Sequence, residues 1–193
     1  MVKKLTEEAY TVSNWSGGKT IELAIAPEGA KYADRDFLWR VSSATVELPE
    51  SDYTALPDYD RFITPLNGEM ILSHDGGEET RVEPFSVHEF DGAARTHCRG
   101  TCTDFNLMLR KEKCAGQMFP LELDPENAVM LNPVEENQTV VLYLAEGEAT
   151  IITMEDEYSV QKGETLLISG EENRTALETE TGATFVVACA EIL

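Results

Sequence analysis

An all-β fold, built as a sandwich, jelly roll or barrel, is what this sequence predicts, and three observations predict it. Short runs alternate apolar and polar residues with period two, the pattern of a strand with one face buried. Turn signals punctuate them at Gly17-Gly18, Pro27-Glu28-Gly29, Asp75-Gly76-Gly77, Asp91-Gly92 and Glu146-Gly147. Helical periodicity is scarce, and segments such as Glu126-Asn127-Ala128-Val129 are too short and polar for a long amphipathic helix. Many short strands at this spacing belong to sandwiches and barrels.

Three runs carry the strongest alternation: Thr20 to Ile25, Phe37 to Ala44 and Asp104 to Arg110. One face reads Ile21, Leu23, Ile25; Phe37, Trp39, Val41; Phe105, Leu107, Leu109. The opposite face reads Thr20, Glu22, Ala24; Arg40, Ser42, Ala44; Asp104, Asn106, Met108, Arg110. A solvated face is one reading, since antiparallel sheets commonly wet one side. A lined cavity is the other. Guanidinium, carboxylate, amide and hydroxyl groups among small residues, with almost no lysine, are the inventory of a pocket that orients a small ligand.

A faint internal repeat extends the prediction to two barrels. Leu66-Asn67-Gly68-Glu69-Met70-Ile71-Leu72 leads to a second run at Val82 to Phe90, and Leu144 to Ile151, with Gly147 inside it, leads to Ser159 to Ile168. The second copy has the look of a cupin core. Two such jelly-roll-like barrels in one chain make a bicupin, with residues 1–114 expected as the first barrel, carrying the pocket, and 115–193 as a second, acidic barrel with no evident site.

Composition narrows the function classes. The chain has 193 residues and a formal net charge of −21. Up to Cys114 there are 13 Lys/Arg against 20 Asp/Glu, whereas beyond it only Lys162 and Arg174 face 16 acids. Nucleic acid and anionic membranes, which bind clustered Lys/Arg, are therefore not expected partners. No apolar run approaches the roughly 18 residues of a membrane helix. Met1-Val2-Lys3-Lys4-Leu5 gives way to Thr6, Glu7 and Glu8 and not to an apolar segment, so a cytoplasmic location is expected. The scarce arginines become candidate anchors for an anion.

Familiar chemistry is missing. Cys98 and Cys102 beside His97 lack a second His/Cys pair, and His74, His88 and His97 form no His-x-His pair on one strand, so neither zinc nor a His–carboxylate centre is expected. Trp15-Ser16-Gly17-Gly18-Lys19-Thr20 ends like a phosphate loop but is followed by a strand and not a helix. No cofactor is expected.

Trp15-Ser16-Gly17-Gly18 with Thr20 and Glu22, then Phe37 to Ala44, Tyr59-Asp60-Arg61 and Asp104 to Arg110, together resemble the HutD/Ves family of bacterial proteins in order and spacing across about the first 110 residues. The resemblance implies a bicupin with a polar cavity in the first barrel, an association with histidine utilisation, and no securely assigned enzyme activity. By matched position it implies a cavity lined by Thr20, Glu22, Arg40, Ser42, Arg61, Asn106, Met108 and Arg110. Two departures, Leu48-Pro49-Glu50-Ser51-Asp52-Tyr53 in place of a Gly-Pro-Phe-Ser type turn and Asp91-Gly92 in place of Gly-Asp, fall in loops that would shape the ligand site.

The expected function is metal-independent binding of a small anionic metabolite by a monomer or homodimer. Arg40 and Arg110 would grip a carboxylate, Ser42 and Asn106 would supply neutral contacts, and Glu22 would pair with an arginine or accept from an amino or formimino group. Asp104, on the same polar face, could equally be a strand-edge residue that orients Arg40. Trp15 or Trp39 would supply an aromatic wall; core packing is the alternative for both, and it is favoured for Trp39, which shares a face with Phe37 and Val41. With the family's association, a histidine-breakdown intermediate such as formiminoglutamate fits. The alternatives are a metal-independent hydrolase or isomerase on such a metabolite, with Glu22 or Asp104 moving the proton, and an acidic protein-interaction module.

Overall fold

A computed structural model describes residues 1–170 and 174–193. Eighteen strands and two single-turn 3-10 segments make up its regular structure among the described residues. In chain order the strands are β1 (Val2–Leu5), β2 (Thr11–Trp15), β3 (Gly18–Ala26), β4 (Trp39–Val46), β5 (Glu50–Asp52), β6 (Tyr59–Gly68), β7 (Met70–His74), β8 (Thr80–Val82), β9 (His88–Asp91), β10 (Thr96–Arg99), β11 (Cys102–Arg110), β12 (Cys114–Leu123), β13 (Val129–Leu131), β14 (Gln138–Ile152), β15 (Glu157–Gln161), β16 (Thr165–Ser169), β17 (Thr175–Glu178) and β18 (Ala183–Ile192). No helix among the described residues is long and apolar enough to cross a membrane.

The chain divides into two compact units, one of residues 10–115 and one of residues 1–9 with 116–193. This corrects the expected division after residue 114 in one substantive respect. The first nine residues leave the first barrel, because β1 pairs antiparallel with β16 in the register Val2↔Ile168 to Leu5↔Thr165. Lys4 reinforces the pairing through a 2.7 Å ion pair to Glu164.

In the unit of residues 10–115, a six-stranded sheet runs β2-β3-β4-β11-β6-β9 and a four-stranded sheet runs β5-β10-β7-β8. Val46, Ile63, Phe90 and Cys102 from the larger sheet meet Met70, Leu72, Val82 and Cys98 from the smaller in one apolar cluster. A second cluster, Phe37, Leu56, Tyr59 and Met108, closes another part of the interior, with the Phe37 and Tyr59 rings stacked 4.3 Å apart. β4 and β11 are buried on both faces: Val41, Phe105 and Leu107 are fully buried on one, and Arg40, Ser42, Asp104 and Asn106 are all at or below 5% exposure on the other. The solvated-face reading of these two strands therefore fails.

In the other unit, β14 serves two groups of strands. Its first half pairs with β16 and β18, and its second half with β15 and β17. The core gathers Leu142, Leu144, Ile151, Val160, Leu166, Ile168, Leu177 and Phe185. The faint repeat has a physical counterpart in two glycines. Gly68 (φ 81°) stands where the chain passes from β6 into β7, and Gly147 (φ 82°) stands where β14 changes partners. A Cβ at either position would lie 2.3 Å from a backbone carbonyl oxygen, Thr101 O or Gly182 O, so no side chain fits at either corner.

Candidate functional site

Strand register builds the site. Residues paired across neighbouring antiparallel strands present their side chains on one face. One row runs Thr20, Ala44, Asp104; the next Glu22, Ser42, Asn106; the third Arg40, Met108, Arg61. The third row decides the chemistry: Met108 has Arg40 on one neighbouring strand and Arg61 on the other. A cavity of about 210 Å³ opens above these rows, lined by Arg40, Ser42, Arg61, Asp104, Asn106 and Met108, with Thr20, Trp15, Tyr32 and Tyr53 around them.

Six of the eight residues expected at the site thus line one cavity: Thr20, Arg40, Ser42, Arg61, Asn106 and Met108. Glu22 shares their face but is not in the lining. It accepts a 2.6 Å bond from Arg40 Nε while Arg40 Nη1 donates to Ser42 Oγ at 3.0 Å, and the Tyr32 ring lies 4.4 Å from the guanidinium carbon. Arg40 is thereby held on three sides.

Arg110 is the correction. It shares the parity of Asn106 and Met108 but is absent from the cavity wall. Met108 packs with Phe37, Leu56 and Tyr59, and Arg110 pairs with Tyr59 one repeat further along β11. The aromatic cluster ends the cavity before Arg110 is reached. The guanidinium facing the cavity with Arg40 belongs to Arg61, a residue that alternation in the three runs did not select and that the family resemblance did.

Arg61 is 5% exposed and takes part in no ion pair within 4.0 Å among the described residues. Its Nη1 donates to Thr54 O at a long 3.4 Å, and its Nε is buried with no acceptor. Phe90 and Tyr53 present their rings 4.9 and 5.4 Å from its guanidinium carbon. Burial pulls its pKa down from the usual arginine value, with Tyr32, Tyr53 and Asp104 opposing. A buried guanidinium with an unused donor is costly unless something anionic meets it. Asn106 Oδ1 beside it is also buried without a donor.

Asp104 lines the same cavity. Burial pushes its carboxyl up to about 7, against the pull of Arg61, the Ala44 N–H and Arg40. A shift in register between Thr103 and Asp104 on the β6 side brings Asp104 opposite Pro65, whose missing N–H suits such an irregularity. Asp104 is thus an interior group between β4 and β6, which removes the strand-edge alternative.

Trp15 owes its position at the rim to Gly17. A Cβ there would lie 2.0 Å from a Trp15 ring carbon, so the hairpin turn must be bare for the indole to fold over it. Trp39 is 5% exposed on the apolar face, as expected. His97 bonds Asp52 at 2.8 Å, while His74 and His88 face each other at 2.9 Å. Burial raises the thiol pKa of Cys98, and pushes that of Cys102 well above the ordinary value. No group of three or more His, Cys, Asp or Glu among the described residues is arranged to hold a metal.

The second unit, expected to be without a site, carries a hollow of its own. Its volume is about 790 Å³, and Phe119, Leu121, Val129, Leu131, Val140 and Val187 supply most of its apolar wall.

Two stacked-sheet units with a polar cavity inside one of them define a protein of the cupin fold. A cupin barrel protein from Leptotrichia buccalis is similar over 99% of this chain and 96% of its own, with a TM-score of 0.63 at 12% identity. The chain belongs to the HutD family, whose model matches residues 7–187. HutD from Pseudomonas fluorescens SBW25 is similar over the whole of both chains, with a TM-score of 0.78 at 19% identity. A conserved protein of unknown function from Pseudomonas aeruginosa PAO1 covers 100% of this chain and 98% of its own, with a TM-score of 0.84 at 22% identity. Protein Ves from Cronobacter sakazakii is 30% identical over 106 residues, 52% of this chain, and the match spans about half, 55%, of that relative's length.

Proposed function

We propose that this chain binds a small carboxylate-bearing amino-acid metabolite in the first barrel and, as a cytoplasmic sensor or regulator, ties that binding to histidine utilisation. One observation carries the reading: Arg61 is a buried guanidinium with no carboxylate in ion-pair range among the described residues and an Nε lacking an acceptor there, in the wall of a cavity. Arg40, held by Glu22 and Ser42, gives the cavity a second, pre-oriented cation. The Asn106 carbonyl oxygen calls for a donor on the ligand, as an amino or formimino group provides. About 210 Å³ suits a ligand of metabolite size. Membership of the HutD family supports the tie to histidine breakdown and makes formiminoglutamate the first compound to try.

Calorimetry with formiminoglutamate, glutamate, urocanate and histidine tests the proposal. A carboxylate of this set should bind, and Arg61→Met should weaken it at least 100-fold, about 3 kcal/mol for a lost charge-assisted contact. No heat from any of the four with folded protein would overturn the reading.

A metal-independent hydrolase or isomerase is the second reading, and Asp104 favours it. A carboxyl at about 7 inside a polar cavity is suited to proton transfer near neutrality. Turnover followed by mass spectrometry separates the two, because a binding protein returns the compound unchanged.

A further inference from the structure

Asp104 and Arg61 share one buried space, and the proposed ligand brings a second carboxylate into it. Both Arg61 and Asp104 line the cavity, Asp104 is 4% exposed, and it stands two residues before Asn106 on the same strand face. Every charged or titratable group facing it can be named. Arg61 comes from β6 and Arg40 from β4; Tyr53 follows β5; Cys98 comes from β10 and Cys102 from β11 itself; Asp52 of β5, bonded to His97, and Tyr32, whose ring lies on Arg40, line the same cavity. Of these Arg40 is already tied to Glu22. Arg61 is therefore the main cation available to both Asp104 and an incoming anion. Two carboxylates in such a space do not both stay ionised.

We infer that Asp104 takes up a proton when an anion enters the cavity, so that this side chain couples ligand binding to pH and, as a neutral acid, becomes a hydrogen-bond donor to the ligand. The inference rests on the anion-binding reading above. The balance is simple: the anion arrives from solvent, one proton arrives from solvent, and no bond in the ligand changes. The binding-competent form is the one with neutral Asp104, and apparent affinity scales with the fraction of protein in that form. Near pH 8, one unit above the value of about 7 that burial gives Asp104, about a tenth of the protein is competent. Affinity should therefore fall about tenfold for each further pH unit, and about 0.9 proton should be taken up per anion bound at pH 8.

The test is calorimetry of formiminoglutamate and glutamate at pH 8 in triethanolamine, HEPES and Tris, whose ionisation enthalpies differ, with wild type and Asp104→Asn. Expected is a buffer-dependent heat equivalent to nearly one proton in wild type. The variant should show none, bind about tenfold tighter at pH 8, and have a flat affinity between pH 6.5 and 8.5. An anion that binds wild type with the same heat in all three buffers overturns the inference and leaves the anion-binding reading standing. Proton uptake that persists in Asp104→Asn does the same. No binding by either compound overturns the inference, and it overturns the anion-binding reading too when urocanate and histidine also give no heat. Should the variant fail to fold, the side-chain carboxyl ¹³C shift of Asp104 in wild type decides. Movement to the protonated position on adding the anion supports the inference, and an unmoved shift overturns it.

Discussion

Asp104 is the residue at which the fold and the site make opposite demands. Its carboxyl has a folded-state pKa raised to about 7 by burial. The folded chain therefore binds a proton that the unfolded chain, with an Asp near 3.9, has released. The stabilising contribution is fully present below the unfolded value and is lost as pH rises through about 7. Asn in its place cannot ionise, so Asp104→Asn should be more stable than wild type at pH 8, by on the order of 4 kcal/mol for a shift of about three units. The advantage should vanish toward pH 4. Denaturant melts at the two pH values check this, and a variant destabilised at pH 8 but not at pH 4 would show that the carboxylate is needed in its ionised form. Little of this was legible beforehand. Alternation placed Asp104, Asn106 and Met108 on one face, but a face does not say whether water reaches it. Arg61 was hidden for the same reason: Tyr59 to Pro65 is buried on both faces but for a half-buried Asp60, so period two has no contrast there to read. Arg110 was misplaced because alternation has no end of its own; the Phe37–Tyr59 stack supplies the end, and that contact joins residues far apart in sequence.

Among the elements, β4 and β11 match their predicted runs closely, since each has a sharp polar–apolar contrast along its whole length. β3 does not. Its register with β4 slips between Glu22 and Ala24, so Ile25 pairs with Arg40 and lies on the cavity side with Phe37, away from Leu23. A bulge shifts phase by one residue, and nothing in Thr20 to Ile25 announces it. The exchange of β1 into the other unit was equally invisible, because Val2 to Leu5 carries no mark of its partner strand. A pair of elements also holds the most specific pH sensor outside the cavity. His88 on β9 faces His74 on β7, Nε2 to Nε2 at 2.9 Å with rings 2° from parallel, joining the two sheets of the first unit. Thr96 Oγ1 donates to Ala94 O and so accepts from His74 Nδ1–H; His74 Nε2 is then the acceptor, and His88 Nε2–H the donor. Burial lowers both pKa values, Asp75 partly opposes at His74, and Arg61 and the paired imidazole add to the lowering. With folded values below the unfolded value near 6.5, the unfolded chain binds more protons, and the stability contribution present above 6.5 is lost as pH falls below it. Asp104 acts the other way over the same interval, so the pair is read as a difference: between pH 7.5 and 5.5 the melting temperature of wild type should fall relative to that of the His74→Phe, His88→Phe double variant. Parallel curves for the two proteins would show that the pair does not titrate with folding.

For the molecule as a whole, the cavity and the surface carry opposite signs. The chain bears a formal charge of −21, yet the buried wall of the cavity carries two arginines beside Asp104, and its one other acid, Asp52, is exposed and bonded to His97. An anionic ligand is therefore repelled at long range and attracted only close to Arg40 and Arg61. This separates two effects that usually act together, because electrostatic steering normally speeds association at low salt and fades as salt is added. At about 10 mM ionic strength charges are felt over roughly 30 Å, so the approaching anion meets the field of the whole acidic surface; at about 150 mM the reach shrinks to roughly 8 Å and only the nearest groups count. The buried arginines are screened much less than the exposed acids. Adding salt should then raise the association rate of a ligand with two carboxylates and a net negative charge, as glutamate and formiminoglutamate have, by about two- to fivefold over that range, while the dissociation rate changes little. Stopped-flow traces at a series of salt concentrations read this directly. A rate that falls with salt would mean that the arginine field extends beyond the cavity mouth and overcomes the acidic surface.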